Sequence, residues 1–288
     1  MRVAVTGGLG RIGRAVGAEL VRHGHEAVPV DVAPMRAQGS GYRRADLREL
    51  WQAVDALDGV DAVVHLAATG VPDSHTLHPE LAEGATYTAN VTSTYNVFQA
   101  AAAHGVKRVV WASSETVLGP PFRVTGPARL PLDEDHPVRP ETTYALSKAT
   151  GEDLARHFAH RHAMTLVALR FSVVMDRTEY AALPDYWARP ERGRWNLWSY
   201  VDLDDVALSC RLALTADLMG ATALMIAAPD TLSDRPTVEL LDILGEGEKL
   251  LTRPPGALHT FESLQSSAKA QELLGWRPAR SWRDGHTG

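Results

Sequence analysis

Tyr144 and Lys148 stand in the segment Tyr144-Ala145-Leu146-Ser147-Lys148, near the start of a stretch patterned as a long helix. Spacing of i and i+4 puts both side chains on one helix face, one turn apart. The chemistry open to such a pair is proton transfer, because a phenol titrates at about 10 and a nearby ammonium favours its phenolate. Ser114 closes a short apolar run and is placed to hydrogen-bond a substrate oxygen and orient it toward Tyr144. Tyr-x-x-x-Lys alone is a common accident of helices. Its weight depends on what precedes it in the chain.

What precedes it is a glycine-rich turn, Thr6-Gly7-Gly8-Leu9-Gly10-Arg11-Ile12-Gly13, between a first strand and a first helix. Gly7, Gly10 and Gly13 satisfy Gly-x-x-Gly-x-x-Gly. The missing Cβ atoms let a pyrophosphate approach the main chain, and a helix N-terminus offers N–H groups and the positive end of a dipole. Arg11 either pairs with phosphate or sits in water, and Ile12 packs under the turn. Asp31 ends the second strand candidate, where a carboxylate accepts hydrogen bonds from both ribose hydroxyls of NAD and repels the extra phosphate of NADP. Arg36 lies near enough to raise NADP, but the strand-end acid is better placed, so NAD is expected. Asp46, with Leu47 after it, either caps the next helix or touches the adenine ring. Lys148 is then suited to hold the nicotinamide ribose.

These groups need a scaffold, and the chain supplies one. Strands are expected at Arg2–Thr6, Ala27–Asp31, Ala62–Leu66, Arg108–Ser113 and Thr165–Phe171, with helices at Ile12–His23, Leu47–Leu57, Glu80–His104 and Thr143–His162. Alternating elements with short Val- and Ala-rich strands predict an α/β fold: a Rossmann-type, doubly wound parallel sheet. Beyond it, Arg177–Trp198 carries Pro184, Pro190 and several aromatic residues and reads as loop, Val201–Leu214 and Thr237–Leu244 as helices, and Ala221–Ala227 as a strand. Residues 1–170 are expected to form the cofactor domain with the catalytic groups, and 171–288 a smaller substrate lobe whose chain returns to the sheet once.

Composition bounds the function. With 45% hydrophobic and 22% charged residues, the chain of 288 residues is an ordinary globular protein. A net charge of −6 argues against a nucleic-acid partner, and no apolar run approaches bilayer length. Cys210 is the single cysteine, which excludes intrachain disulfides and cysteine-rich zinc sites, and the scattered histidines suggest no metal. The chain enters a strand-like pattern at its first residues, so no signal peptide and a cytoplasmic setting are expected.

The ordered set resembles the extended short-chain dehydrogenase/reductase family, the NAD-dependent epimerase/dehydratase group. The residue 6–13 turn matches its cofactor turn, and His65-Leu66-Ala67-Ala68 looks like its loop alongside the adenosine. The segment from Asn90 is similar to its central helix, and Trp111-Ala112-Ser113-Ser114-Glu115-Thr116-Val117-Leu118-Gly119 to its serine segment. Tyr200-Val201-Asp202-Leu203-Asp204-Asp205 and Leu274-Gly275-Trp276-Arg277-Pro278 resemble its late signatures. The resemblance implies hydride passing between nicotinamide and a substrate carbon, with Tyr144 as acid/base, Ser114 as helper and Lys148 as ribose anchor.

Departures narrow the choice. Dehydratases of the group carry Asp-Glu where this chain has Glu115-Thr116, so dehydration is disfavoured. Only about thirty residues separate Arg170 from Val201, short for a diphosphate-sugar loop set. This shortened lobe resembles uronate dehydrogenases and related small-sugar oxidoreductases; a nucleotide-sugar 4-epimerase is the alternative. Candidate substrate contacts are Thr69, Ser74 and His75, then Ser114, Glu115, Ser172, Arg177 and Tyr180. Trp187, Trp195 and Trp198 either stack on a sugar ring or pack the small lobe. The resemblance implies a homodimer in which the two long helices meet those of a second copy; the alternative is that their apolar faces are buried against their own sheet.

Overall fold

Short apolar runs buried on both faces build the strands of this protein. The computed structural model describes residues 1–34, 41–69, 79–245 and 247–285. Among them the strands are β1 (Arg2–Thr6), β2 (Glu26–Asp31), β3 (Arg43–Arg44), β4 (Ala62–His65), β5 (Arg108–Ser114), β6 (Thr165–Phe171), β7 (Val173–Met175), β8 (Tyr200–Asp202) and β9 (Ala221–Ile226). The helices are α1 (Arg11–Arg22), α2 (Leu50–Ala56), α3 (Pro79–Ala103), α4 (Thr143–His162), α5 (Arg177–Tyr180), α6 (Leu183–Trp187), α7 (Leu203–Thr215), α8 (Thr237–Leu244), α9 (Gly247–Leu250) and α10 (Ala268–Leu274).

Seven strands form one sheet in the order β3-β2-β1-β4-β5-β6-β9, while β7 and β8 pair separately. The β1–β2, β1–β4, β2–β3 and β4–β5 pairs are parallel. Chain order reverses between β1 and β4, and a doubly wound sheet opens a crevice at the carboxyl ends of the strands flanking such a reversal. The α/β expectation holds, and β9 lies beside β6 at the end of the sheet.

Two compact units share the chain. The first comprises Met1–Ser113, Thr142–Leu169 and Ala207–Ala223; the second comprises Ser114–Glu141, Arg170–Val206 and Leu224–Gly288. The chain thus passes between units at several points. The crossings after β5 and β6 fall at strand ends, where sheet residues give way to the loops that follow.

In the first unit, alternate strand residues Ala4, Val30, Val63 and Val109 join Val97, Phe98 and Ala101 of α3 and Ala155 and Phe158 of α4 in one core. Phe98 packs edge-on against both Trp111 and Phe158, with ring centroids 5.8 Å apart in each pair. The helix α7 is tied to α1 by an Arg211–Glu19 ion pair of 2.8 Å.

The second unit has its own core of Tyr180, Leu183, Tyr200, Ala228, Leu232 and Trp282, with Trp187 stacked near Trp282 at 4.9 Å. The stretch read as loop, Arg177–Trp198, instead holds α5, α6 and a 3-10 turn, Pro190–Asn196. An Asp176–Glu179 capping box starts α5, and proline stands in the first turn of each of the other two, so the prolines begin helical turns here. Two of the three tryptophans pack the unit: Trp198 is fully buried and donates to the Pro190 carbonyl, and Trp187 donates to the Leu232 carbonyl, while Trp195 is exposed.

Candidate active site

The glycine turn leaves β1 and enters α1 under tight steric control. Gly7 has φ +67°, and a Cβ there would lie 2.9 Å from the Ala67 nitrogen. At Gly13 a Cβ would fall 2.1 Å from the Gly7 carbonyl oxygen, so no side chain fits. The N-cap of α1 is Gly10, which supplies no side-chain cap, and no acid stands in the first turn. A helix start with no acid and no capping side chain leaves its positive end to a ligand anion. Arg11 and Ile12 form that first turn.

Beside the turn lies a cleft of about 480 Å³ within the first unit. Gly7, Gly10, Asp31, Asp46, Leu47, Leu66, Ala67, Ala68, Thr69 and Asn90 line it, which gathers most of the cofactor residues read from sequence. Val30, Val32, Ala45, Arg48, Ala89 and Ser93 line it too and were not foreseen. The signal for Val30 and Val32 is their adjacency in sequence to Asp31 at the end of β2.

The Asp31 carboxylate accepts the Leu9 N–H at 3.0 Å and the Ala33 N–H at 3.1 Å, which ties the end of β2 to the glycine turn. Asp46 does not cap a helix: Glu49 is the N-cap of α2. Arg48, two residues on, takes the Asp46 carboxylate with its Nε at 2.9 Å and its terminal nitrogen at 2.6 Å, and holds that carboxyl below its ordinary range. Asn90 clamps the end of the β4 loop, accepting from the Thr69 N–H at 2.7 Å and donating to the Thr69 carbonyl at 3.0 Å. It also donates to Ser147 of α4 at 3.3 Å, which joins the cleft wall to the helix of Tyr144 and Lys148.

Under this wall a buried relay fixes its own protons. Thr6 Oγ1 accepts the N–H groups of Leu66 and Ala67, both at 3.2 Å. Its hydroxyl hydrogen is left for His65 Nδ1 at 2.7 Å, so Nε2 carries the imidazole proton and faces Thr94 Oγ1 at 3.3 Å. Burial, then the Lys148 charge, pushes the His65 imidazole down to about 3, and it stays neutral.

Thr142 caps α4 by accepting the Ala145 N–H at 3.0 Å, so Tyr144 sits in the first turn at the positive end of the helix. Lys148 Nζ lies 5.6 Å from the centre of the Tyr144 ring and donates to the Ala112 carbonyl at 2.8 Å. Burial pushes the Lys148 ammonium down to about 8.

The second unit holds the remaining candidates. Ser114 ends β5 and caps the 3-10 turn Glu115–Leu118. Its Oγ accepts from the Thr116 N–H at 3.2 Å and from Thr116 Oγ1 at 2.9 Å. With both lone pairs taken, the Ser114 hydroxyl can only donate. Glu115 and Ser172, expected as substrate contacts, are bonded to each other at 2.8 Å and buried. Asn196 at 3.1 Å and Gln265 at 2.5 Å also donate to the Glu115 carboxylate, an arrangement the sequence reading missed. Burial pushes the Glu115 carboxyl up to about 7 against the pull of these donors. Arg177 is the exposed first residue of α5, and Tyr180 donates to Asp202 at 2.7 Å. Arg36, Ser74 and His75 lie outside the described residues. Among the described residues no cluster suited to a metal ion and no helix long and apolar enough to cross a membrane is present.

The chain is 32% identical over 185 residues to the L-arabinose 1-dehydrogenase (NAD(P)(+)) of Haloferax volcanii, a match spanning 62% of this chain and 69% of that protein. It is 28% identical over 191 residues to the uronate dehydrogenase of Pseudomonas syringae, spanning 65% of this chain and 64% of that one. A short-chain dehydrogenase/reductase superfamily protein from Agrobacterium tumefaciens, solved with bound NAD, superposes with a TM-score of 0.74 at 26% identity, covering 98% of this chain and 94% of that one. Residues 3–185 match the model of the NAD dependent epimerase/dehydratase family. With the glycine cradle, the strand-end acid and the tyrosine–lysine helix in place, this chain belongs to the NAD dependent epimerase/dehydratase family.

Proposed function

We propose that this enzyme oxidises a hydroxyl-bearing carbon of a free small sugar, sugar acid or polyol, with NAD as hydride acceptor, and reduces the product in reverse. The observation that carries the reading is the Tyr144–Lys148 pair on the first turns of α4, in the same unit as the cradle. Similarity to an arabinose dehydrogenase and a uronate dehydrogenase supports the substrate class.

NAD supplies the hydride acceptor when bound. Around it, Gly7, Gly10 and the first turn of α1 receive the pyrophosphate, Asp31 the adenosine ribose and Lys148 the nicotinamide ribose. The fit rests on the absent Cβ atoms at residues 7 and 13 and on the uncapped helix start. Tyr144 Oη takes the proton of the substrate hydroxyl, with Lys148 beside its ring. The Ser114 hydroxyl, whose acceptor sites are already occupied by Thr116, donates to a substrate oxygen. In the reverse direction Tyr144 returns the proton.

Purified enzyme incubated with NAD and a panel of pentoses, hexoses, uronates and polyols is expected to form NADH, read by its absorbance. Interconversion of nucleotide-sugar epimers without net NADH would overturn this reading in favour of a 4-epimerase. We also propose a homodimer through α3 and α4, where Tyr95 and Leu146 expose apolar surface; sedimentation of a monomer at micromolar concentration would reject it.

A further inference from the structure

Glu115 follows Ser114 directly and is 2% exposed. Its carboxylate is the meeting point of four chain segments of the second unit. Ser172, between β6 and β7, donates to Oε2 at 2.8 Å, and Gln265, ahead of α10, donates to the same oxygen at 2.5 Å. Asn196, at the end of the Pro190–Asn196 turn, donates to Oε1 at 3.1 Å. All three partners are themselves buried. They are also held from behind: Asn196 donates to the Ser199 carbonyl at 2.8 Å, and Gln265 to the Asn196 carbonyl at 3.1 Å. Neither amide can turn round without losing its second bond.

A carboxylate is the one side chain of this size that accepts at both ends. Glutamine would set its own N–H groups against Asn196 in one orientation and against Gln265 in the other. The site therefore demands the acid itself, although burial disfavours its charge. Three protein donors fill most of the carboxylate's acceptor capacity, which leaves little for a sugar hydroxyl. What the network does hold is the Glu115–Leu118 turn, whose first bonds, from Thr116, set the Ser114 hydroxyl as a donor.

We infer that Glu115 is a positioning residue, not a substrate contact: it ties the turn after β5 to the segments of Ser172, Asn196 and Gln265 and thereby aims the Ser114 hydroxyl at the substrate oxygen. The catalytic part of this inference rests on the dehydrogenase reading above; the anchoring part does not.

The test compares wild type, Glu115→Gln and the milder Ser172→Ala, which removes one donor and keeps the charge. Loss of orientation in a group that acts on the reacting oxygen lowers turnover about ten- to a hundredfold. Glu115→Gln is expected to lose that much kcat, with KM for the sugar changed by less than about threefold and the Kd for NAD unchanged in calorimetry. Amide hydrogen exchange at residues 115–119 should accelerate in Glu115→Gln and less so in Ser172→Ala. A raised KM with unchanged kcat would make Glu115 a substrate contact and overturn the inference, as would unchanged kcat. If no sugar is turned over by the wild type, the dehydrogenase reading has failed by itself, and hydrogen exchange alone decides the anchoring: exchange at 115–119 equal to wild type rejects it. Should Glu115→Gln not fold, Ser172→Ala carries both measurements with the same signs.

Discussion

His65 in the first unit and Glu115 in the second are both fully buried, and both make side-chain hydrogen bonds, yet their surroundings ask opposite things of them. Around His65 stand two hydroxyls, one donating to Nδ1 and one receiving from Nε2, which matches a neutral imidazole and has no place for a second proton. Around Glu115 stand three donors, which match an anion. Each group is thus matched by its neighbours to one protonation state, His65 uncharged and Glu115 charged, although the first unit also buries ionisable side chains such as Lys148 and Glu152. The second unit keeps a carboxylate in a place where burial opposes the charge.

The sharpest way to separate the units is to remove chemistry from the first without disturbing its packing. Tyr144→Phe deletes one oxygen from a half-buried ring at the start of α4. We expect kcat to fall about 10²- to 10⁴-fold, with NAD affinity and Tm unchanged. A Tyr144→Phe enzyme with wild-type turnover would remove the first unit from the chemistry altogether.

The pH dependence of stability reads the two buried groups with opposite signs. For His65, held down at about 3 against 6.5 in an unfolded chain, the unfolded state binds the extra proton. Its stability contribution is complete above pH 6.5 and is lost as pH falls from there toward 3, roughly 5 kcal/mol over the whole range and roughly 2 kcal/mol by pH 5. Urea unfolding of wild type and His65→Gln between pH 7 and 5 checks this; equal acid sensitivity in both would show that the imidazole is not held neutral.

For Glu115, pushed up to about 7 against 4.5 unfolded, the folded state binds the proton more tightly. Its contribution is therefore complete below pH 4.5 and is lost as pH rises through about 7, roughly 3 kcal/mol in all. Tyr186 is the titratable neighbour that feels this charge; its phenol is pushed up by burial and then by Glu115, so it stays protonated throughout the window. Glu115→Gln should abolish this limb. A wild-type curve that gains stability between pH 5 and 8 by the same amount as the variant would break the contrast.

The difference in surroundings also explains what could be read from sequence. Strands β1 and β6 and helices α4 and α8 fall at the expected residues because buried parallel strands are continuous apolar runs and the longer helices carry a clear start. The strands β3, β7 and β8 have two or three residues each, too few to show any period. α2 begins three residues later than expected, since the carboxylate of Asp46 is taken by Arg48 and not by the helix. In the site, the cofactor residues cluster because most lie at a strand end or in the turn after it, a position that local pattern reveals; Asn90, inside α3, does not. The partners of Glu115 lie 57, 81 and 150 residues away, and no local pattern links them. The same is true of the Thr6–His65 bond across 59 residues.

The smallest expected effect concerns a carboxylate that lines the first unit's cleft. Asp31 is the strand-end acid of the cleft, and its two oxygens are engaged by the Leu9 and Ala33 N–H groups. Each of those oxygens has a second lone pair, which is what a ribose diol needs. Asp31→Ser removes the charge and one acceptor while leaving a hydroxyl for a backbone N–H. We expect the Kd for NAD to rise about tenfold, and the preference for NAD over NADP to narrow by at least that factor, because the carboxylate that repels a 2′-phosphate is gone. Calorimetry with both dinucleotides reads the two numbers separately. A weakened NAD affinity with an unchanged NAD:NADP ratio would mean that Asp31 acts only by holding the glycine turn to β2, and that cofactor choice is made elsewhere in the cleft, where Asp46 and Arg48 are the other charged lining residues.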